Sequence, residues 1–198
     1  MDRLIGILKI YVIKGTDLVA MAAKTSDPYV IISMGSQKVK TRVVKKNCNP
    51  VWGDEVSLAV EDLDAPIKLT NQLLWILVSQ TVFNKDTFTD DDFMGDADID
   101  IKPYIEYLRA ELADLLEGAI VSKIIPNRQN CLVEESPIMW KNGKLVQPMC
   151  LRLRNVQKGE VEIELEWMKV SGSRGLDPSD PLLYHPLEWD RNTPAIIR

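Results

Sequence analysis

The 198-residue sequence predicts an all-β protein built as an antiparallel β-sandwich. Short runs in which apolar and polar side chains alternate recur along most of the chain, and Gly, Pro, Asn and Asp residues separate them. A single segment, residues 102–116, has helical spacing instead. Because the two sheets of a sandwich bury their inner faces against each other, we expect function to lie on the edges and loops.

The composition is that of one folded domain. The chain is 45% hydrophobic and 27% charged, with a formal net charge of −5, which is ordinary for a globular protein. The acidic balance argues against general nucleic-acid binding. The N-terminus lacks a signal-peptide pattern, three cysteines lack metal-site spacing, and no apolar run is long enough to cross a bilayer. We therefore expect a reducing cytosolic or nuclear setting and only peripheral membrane contact.

The strands are predicted from the alternation of apolar and polar side chains. In residues 4–14, Leu8, Ile10 and Val12 share one face. Further strands are predicted at 28–34, 37–46, 55–60, 120–125, 131–133, 151–153 and 160–168, with another ending at Phe83 and one after Gly95.

The helix at 102–116 is predicted from spacing and from its ends. Pro103 suits a first helical turn, Ile105, Leu108 and Leu112 recur at helical intervals, and Gly118 marks a stop. After the last strand the chain becomes rich in Gly, Ser and Pro, so residues 169–198 are predicted to form a mobile C-terminal tail.

An acidic loop in the middle of the chain is the strongest candidate for a functional site. Asp86, Asp90, Asp91 and Asp92 lie within seven residues, and such carboxylates repel each other unless solvent or a hard cation neutralises them. An isolated acidic run is usually a solvated loop. A second segment, Ser-Asp-Pro-Tyr-Val around Asp27, changes this balance, because the two segments together resemble the paired calcium-binding loops of a known domain family.

Other chemistries fail on spacing. An EF-hand loop starting at Asp90 would need oxygen ligands where Met94 and Ile101 stand. A phosphotransferase with an aspartyl nucleophile would have Asn84 at the nucleophilic position, and an amide cannot act there. The only histidine, His185, lies in the predicted tail. We therefore predict a protein that is not an enzyme.

Several motifs occur in the order found in C2 domains. They are the strand at 6–15, Ser-Asp-Pro-Tyr-Val at 26–30, Lys-Val-Lys-Thr-Arg at 38–42, Asn-Pro-Val-Trp at 49–52 and Asp-Phe-Met-Gly at 92–95. More narrowly, the segments at 101–106, 127–132, 134–136 and 151–156 resemble the plant C2-domain abscisic-acid-related (CAR) proteins. The resemblance implies an eight-stranded C2 β-sandwich at 1–168, with a family-specific insertion at about 102–148.

This resemblance also implies a function. Such a protein would be a non-catalytic module that binds anionic phospholipid membranes with calcium, recruits PYR/PYL-type abscisic acid receptors and, as for some relatives, stimulates small GTPases. We would expect it in the cytoplasm, at the plasma membrane and in the nucleus. The alternative is a calcium-independent protein-interaction scaffold that works through the helix and the polar loop 127–136.

The metal ligands implied by the resemblance are Asp27, Asn84, Asp86 and Asp92. Two carboxylates of the family pattern are missing, because Ala22 and Asn84 stand where the pattern has aspartate. Since the number of charged ligands tunes calcium affinity over orders of magnitude, we expect weak calcium binding or none.

A basic strand gives a separate argument for membranes. Lys38, Lys40 and Arg42 alternate, so a strand would project all three from one face, and Lys45 and Lys46 follow. Each cation near an anionic leaflet contributes about 1 kcal/mol. The plain alternative is that lysines on an edge strand only prevent edge pairing. The resemblance favours lipid binding at these five residues.

Residues 71–80 have no counterpart in the family pattern. This apolar segment either replaces the expected strand or is extruded as a loop that exposes Trp75. The sequence leaves both alternatives open.

Overall fold

The computed structural model describes residues 4–21, 25–61, 77–86, 90–110, 112 and 114–176. Within these ranges the chain forms ten strands and one helix. The strands are β1 (Gly6–Thr16), β2 (Pro28–Met34), β3 (Gln37–Lys40), β4 (Val51–Val60), β5 (Leu77–Asn84), β6 (Asp92–Asp100), β7 (Ile120–Ile124), β8 (Ser136–Lys141), β9 (Lys144–Arg152) and β10 (Glu160–Met168). The helix α1 (Lys102–Arg109) lies between β6 and β7 in the chain.

The strands form two antiparallel sheets around one core. The larger sheet has the strand order β4-β1-β10-β9-β8-β7, and the smaller has the order β3-β2-β5-β6. Leu8, Ile10 and Val12 of β1 are fully buried, as their alternation predicted, and they share the core with Val30 and Ile32 of β2. The predicted antiparallel sandwich is therefore confirmed, with ten strands among the described residues in place of the eight predicted.

The strands β8 and β9 form a hairpin that the sequence prediction missed. Asn142 and Gly143 connect them with φ angles of 51° and 78°, as a two-residue type I′ turn requires. The Asn-Gly dipeptide was the available signal for this hairpin. The strand predicted at 131–133 is reduced to a single bridge between Leu132 and Leu151.

The helix is shorter than predicted and ends at Arg109 instead of residue 116. Its anchor is Tyr104, which is fully buried and donates a hydrogen bond from its hydroxyl to the Leu145 carbonyl at 2.7 Å. Beyond α1, Leu115 packs against the core, but Leu112 and Leu116 are exposed. The leucine pattern therefore does not continue as one buried helical face. No helix in the described part of the chain is long and apolar enough to cross a membrane.

The described part of the segment 71–80 belongs to a central strand. Residues 77–80 form the first half of β5, which lies between β2 and β6. Val78, Gln80 and Val82 are fully buried, so this portion occupies a core strand and is not extruded. Trp75 lies outside the described residues. The amide of Gln80 has no hydrogen-bond partner within the described structure, a costly arrangement for a buried polar group.

The first residues of the predicted tail pack on the sandwich. The backbone N–H of Arg174 donates to the Leu4 carbonyl at 2.9 Å, the Ser173 hydroxyl donates to the Val170 carbonyl at 2.8 Å, and Leu176 packs against the core. Residues 177–198, with His185, lie outside the described part.

Candidate functional site

The residues predicted to bind calcium come from the ends of three strands. Asp27 precedes β2, Asn84 ends β5 and Asp92 begins β6. Because Pro28 pairs with Asn84 and Asn84 pairs with Asp92, the sheet brings all three to one end of the four-stranded sheet. Asp86 follows two residues after β5. The predicted set is therefore assembled in space by strand pairing.

Asn84 joins the two loops with its side-chain amide. Its carbonyl oxygen Oδ1 accepts the backbone N–H of Asp27 at 2.7 Å, and its nitrogen Nδ2 donates to Asp92 Oδ2 at 3.1 Å. Reversing the amide would set its NH₂ against the Asp27 N–H and its oxygen against the Asp92 carboxylate. Donor would then meet donor and acceptor would meet acceptor, so the surrounding groups fix the orientation of this buried amide.

This arrangement does not fit a calcium ion, which takes six to eight oxygen ligands. Asn84 directs hydrogen atoms at Asp92, and one oxygen of Asp27 accepts the backbone N–H of Lys46 at 2.8 Å. Ala22, itself outside the described residues, has no oxygen in its side chain to offer. Among the residues that the structure describes, no group of three or more His, Cys, Asp or Glu side chains is placed to hold a metal. The predicted ligand set, with Asp86, stays a prediction.

Asp91, which the predicted ligand set left out, holds the loop between β5 and β6. Its Oδ1 accepts Lys85 Nζ at 2.8 Å and the Asp86 N–H at 3.1 Å, and its Oδ2 accepts the Tyr29 hydroxyl at 2.6 Å. The hydrogen bonds from Lys85 and then Tyr29 lower the pKa of Asp91 to about 2. The tyrosine of the Ser-Asp-Pro-Tyr motif was the sequence signal for this contact.

Four lysines form what we call the basic surface: Lys38, Lys40, Lys45 and Lys46. Lys38 and Lys40 are exposed on one face of the edge strand β3, and Lys45 and Lys46 are exposed in the turn that follows. None of the four forms an ion pair with a carboxylate of the described residues. The basic surface thus presents uncompensated positive charge.

Arg42 does not project with Lys38 and Lys40 as predicted. The strand β3 ends at Lys40, and Thr41 turns inward and is buried. Arg42 Nε pairs with Asp54 at 3.3 Å, and its Nη2 donates to the Trp52 carbonyl of β4. Its guanidinium therefore holds the start of β4 next to β3.

An aromatic row links the basic surface to the loops. Tyr29, Phe83 and Phe93 are paired across β2, β5 and β6, with ring centroids 5.6 Å apart for the first pair and 6.2 Å for the second. Lys40 Nζ lies 3.5 Å from the centre of the Tyr29 ring, a cation–π contact. Lys40 is thus positioned by the residue that also contacts Asp91.

The polar loop predicted as a partner surface is held by its own side chains. Asn127 Oδ1 accepts the N–H groups of Gln129 at 2.7 Å and Asn130 at 3.0 Å, and the Asn130 amide donates to the Ile125 carbonyl at 3.0 Å. The loop follows β7, the edge strand of the six-stranded sheet. It is therefore a defined surface on the other sheet from β3.

Comparison with known proteins agrees with this architecture. The family profile described as C2 domain matches residues 6–114. Protein C2-DOMAIN ABA-RELATED 3 of Arabidopsis thaliana is 50% identical over 176 residues, which cover 89% of this chain and 98% of the relative. GTPase activating protein 1 of Oryza sativa subsp. indica is 43% identical over 176 residues, which cover 89% of this chain and 99% of the relative.

Solved structures show the same fold. A single C2 domain of plant Extended Synaptotagmin 1 superimposes with a TM-score of 0.54 at 18% identity, covering 85% of this chain and 98% of that chain. The calcium-bound tandem C2 domains of Extended-Synaptotagmin 2 give a TM-score of 0.54 at 22% identity, covering 84% of this chain and 47% of that chain. These structural matches show the fold alone. Together with the sequence identities, they establish that this chain has a C2 fold and belongs to the C2-domain ABA-related proteins.

Proposed function

We propose that this chain is a non-catalytic C2 module that binds anionic phospholipid membranes through its basic surface. The observation that carries the proposal is the group of four exposed lysines without carboxylate partners among the described residues. They lie together on a protein whose formal net charge is −5. A local positive surface on an acidic protein gives both attraction to an anionic leaflet and a defined orientation on it.

The expected strength suits reversible binding. Each lysine near an anionic leaflet contributes about 1 kcal/mol, so four contribute about 4 kcal/mol, roughly a thousandfold in partitioning. The attraction falls off within a Debye length of about 8 Å at physiological salt. We therefore propose a cytoplasmic protein that associates with the inner surface of the plasma membrane, where anionic lipids are abundant.

Charge reversal tests the proposal. The variant Lys38→Glu/Lys40→Glu should lose most co-sedimentation with vesicles of phosphatidylcholine and phosphatidylserine. The matched control is Arg128→Glu/Lys169→Glu, at two exposed positions outside the basic surface. Each replacement lowers the net charge by two, so the net charge falls by four in both double variants. Retained binding in the first variant, or equal loss in both, would contradict the proposed surface.

Protein recruitment is a second candidate function. Two observations favour it: the relatives carry names that refer to abscisic acid and to GTPase activation, and the loop 127–136 is a separate, self-supported surface. We propose that α1 and this loop contact PYR/PYL-type abscisic acid receptors, with small GTPases as further partners. The alternative, a scaffold without lipid binding, predicts partner capture alone.

Reciprocal variants separate the two functions. Arg128→Glu should weaken capture of an abscisic acid receptor and leave vesicle binding in place, whereas Lys38→Glu/Lys40→Glu should do the reverse. Removal of residues 103–148 is unsuitable for this test, because it would delete β7, β8 and part of β9 from the six-stranded sheet. Receptor capture that is unchanged by Arg128→Glu would exclude Arg128 from the contact.

Calcium has a minor part in the proposed function. C2 domains commonly bind calcium, but Ala22 and Asn84 remove two carboxylates from this chain. We propose that any calcium binding is weak and that the lysines provide most of the membrane affinity.

A further inference from the structure

Three carboxylates at the loop end each receive a donor from the protein itself. Asp27 receives the Lys46 backbone N–H, Asp92 receives the Asn84 amide, and Asp91 receives the Lys85 ammonium. Neighbouring carboxylates normally repel each other, and a bound cation is one way to offset this repulsion. Here hydrogen bonds and one ion pair from the protein reduce this repulsion.

Asn84 is the central group because it joins both loops. Its oxygen binds the backbone of Asp27 and its nitrogen binds the side chain of Asp92. A calcium ion that used the Asn84 oxygen would take it from the Asp27 N–H, and even a half-buried donor loses stabilisation when it has no partner. An ion that used Asp92 Oδ2 would meet the Asn84 NH₂, which carries partial positive charge. Calcium could therefore bind here only by breaking the hydrogen bonds that join Asn84 to Asp27 and Asp92.

We propose that Asn84 replaces calcium as the group that joins these loops, so that this chain binds membranes independently of calcium. The inference concerns the regulation of membrane binding and rests on the proposed function. The loop end then has one arrangement at resting and at raised calcium, and the basic surface beside it is always available. Membrane association would follow the anionic lipid content and not a calcium signal.

The test compares the parent protein with Asn84→Asp. This variant restores a carboxylate between Asp27 and Asp92 and removes the Nδ2 donor. The matched control is Asn142→Asp in the β8–β9 turn, which adds the same charge on the other sheet. Each protein is studied in EGTA and in millimolar calcium by three measurements: calorimetric calcium titration, thermal melting without lipid, and co-sedimentation with phosphatidylserine-containing vesicles.

For the parent and for Asn142→Asp, we expect calcium to leave the melting temperature unchanged and to alter vesicle binding by less than about twofold. For Asn84→Asp, we expect a lower melting temperature in EGTA, recovery with calcium, and calcium binding at least about tenfold tighter than in the parent. A parent that melts at a higher temperature in calcium, or that requires calcium for vesicle binding, would overturn the inference.

Failure of the proposed function gives a different result. A parent that binds no vesicles in either buffer contradicts membrane binding, whereas its melting temperature in calcium and EGTA still decides the role of Asn84. If Asn84→Asp does not fold, Asn84→Ser provides the second variant, since it shortens the side chain without adding charge. Asn84→Ser should melt below the parent in EGTA because it loses the bridge between Asp27 and Asp92, and an unchanged melting temperature would count against Asn84 as the group that joins the loops.

Discussion

Gln80 of β5 lies directly opposite Ile32 of β2, and both side chains are fully excluded from solvent. The Gln80 amide has no hydrogen-bond partner among the described residues. It occupies an inward position between Val78 and Val82, where an apolar side chain would be expected. Among the described residues, Gln80 is therefore a buried polar side chain at a position that suits an apolar one.

Gln80→Leu should therefore stabilise the protein. Removing a buried, unpaired amide should raise the free energy of unfolding by about 1 to 3 kcal/mol, measured by urea denaturation. The control is Gln147→Leu, because Gln147 is also buried but its Nε2 donates to the Ser136 hydroxyl at 2.9 Å, which leaves only its Oε1 without a partner among the described residues. The control should gain less or lose stability. A Gln80→Leu protein no more stable than the parent would show that the amide has a partner in solution.

Arg42→Ala should destabilise the fold although Arg42 lies beside the basic surface. Its guanidinium joins Asp54 and the Trp52 carbonyl, and the loss of these partly exposed contacts should cost about 1 kcal/mol. The comparison variant Lys38→Ala should change the free energy of unfolding by less than about 0.5 kcal/mol. Equal effects of the two replacements on the urea midpoint would argue against the structural role of Arg42.

Tyr29→Phe should loosen the loop between β5 and β6. The replacement removes the hydroxyl that donates to Asp91 at 2.6 Å but keeps the ring under Lys40. We expect faster amide hydrogen exchange at residues 85, 86, 90 and 91 and little change in vesicle binding. Tyr107→Phe is the control, because the half-buried Tyr107 hydroxyl has no hydrogen-bond partner among the described residues. The same exchange rates in both variants would rule out the Tyr29 contact as the restraint.

The sequence predicted the parts of the fold in which local pattern and burial agree. Leu8, Ile10 and Val12 were placed on one face of a strand from alternation alone, and all are fully buried. The helix was overextended because Leu112 and Leu116 continue its period without core surface beneath them. The β8–β9 hairpin was missed because Pro148 interrupts the second strand, whereas Asn142 and the following glycine marked the turn.

The residues of the site could be predicted from the sequence, but their contacts could not. Sequence motifs indicated Asp27, Asn84 and Asp92, and strand pairing brings them together. The direction of the Asn84 amide could not be read from the sequence, because it depends on the N–H of Asp27, which lies just before β2 and far from Asn84 in the sequence. The sequence likewise could not show that Arg42 lies apart from the basic surface, because its position depends on Asp54, twelve residues away.

Salt should weaken membrane binding if the lysines provide the attraction. The Debye length falls from about 10 Å at 0.1 M salt to about 3 Å at 1 M, so the vesicle-bound fraction should fall steeply over this range. Lys38→Glu/Lys40→Glu should show a much smaller salt dependence than Arg128→Glu/Lys169→Glu. Binding that persists at 1 M salt would instead indicate insertion of apolar side chains such as the exposed Phe93.

The most direct measurement of the central claim is the vesicle-bound fraction of the parent protein in EGTA as phosphatidylserine is increased in phosphatidylcholine vesicles. We predict no binding to pure phosphatidylcholine and a steep rise with phosphatidylserine content, because attraction to the four lysines requires anionic headgroups. Binding that is independent of phosphatidylserine, or absent at every composition, would contradict the account.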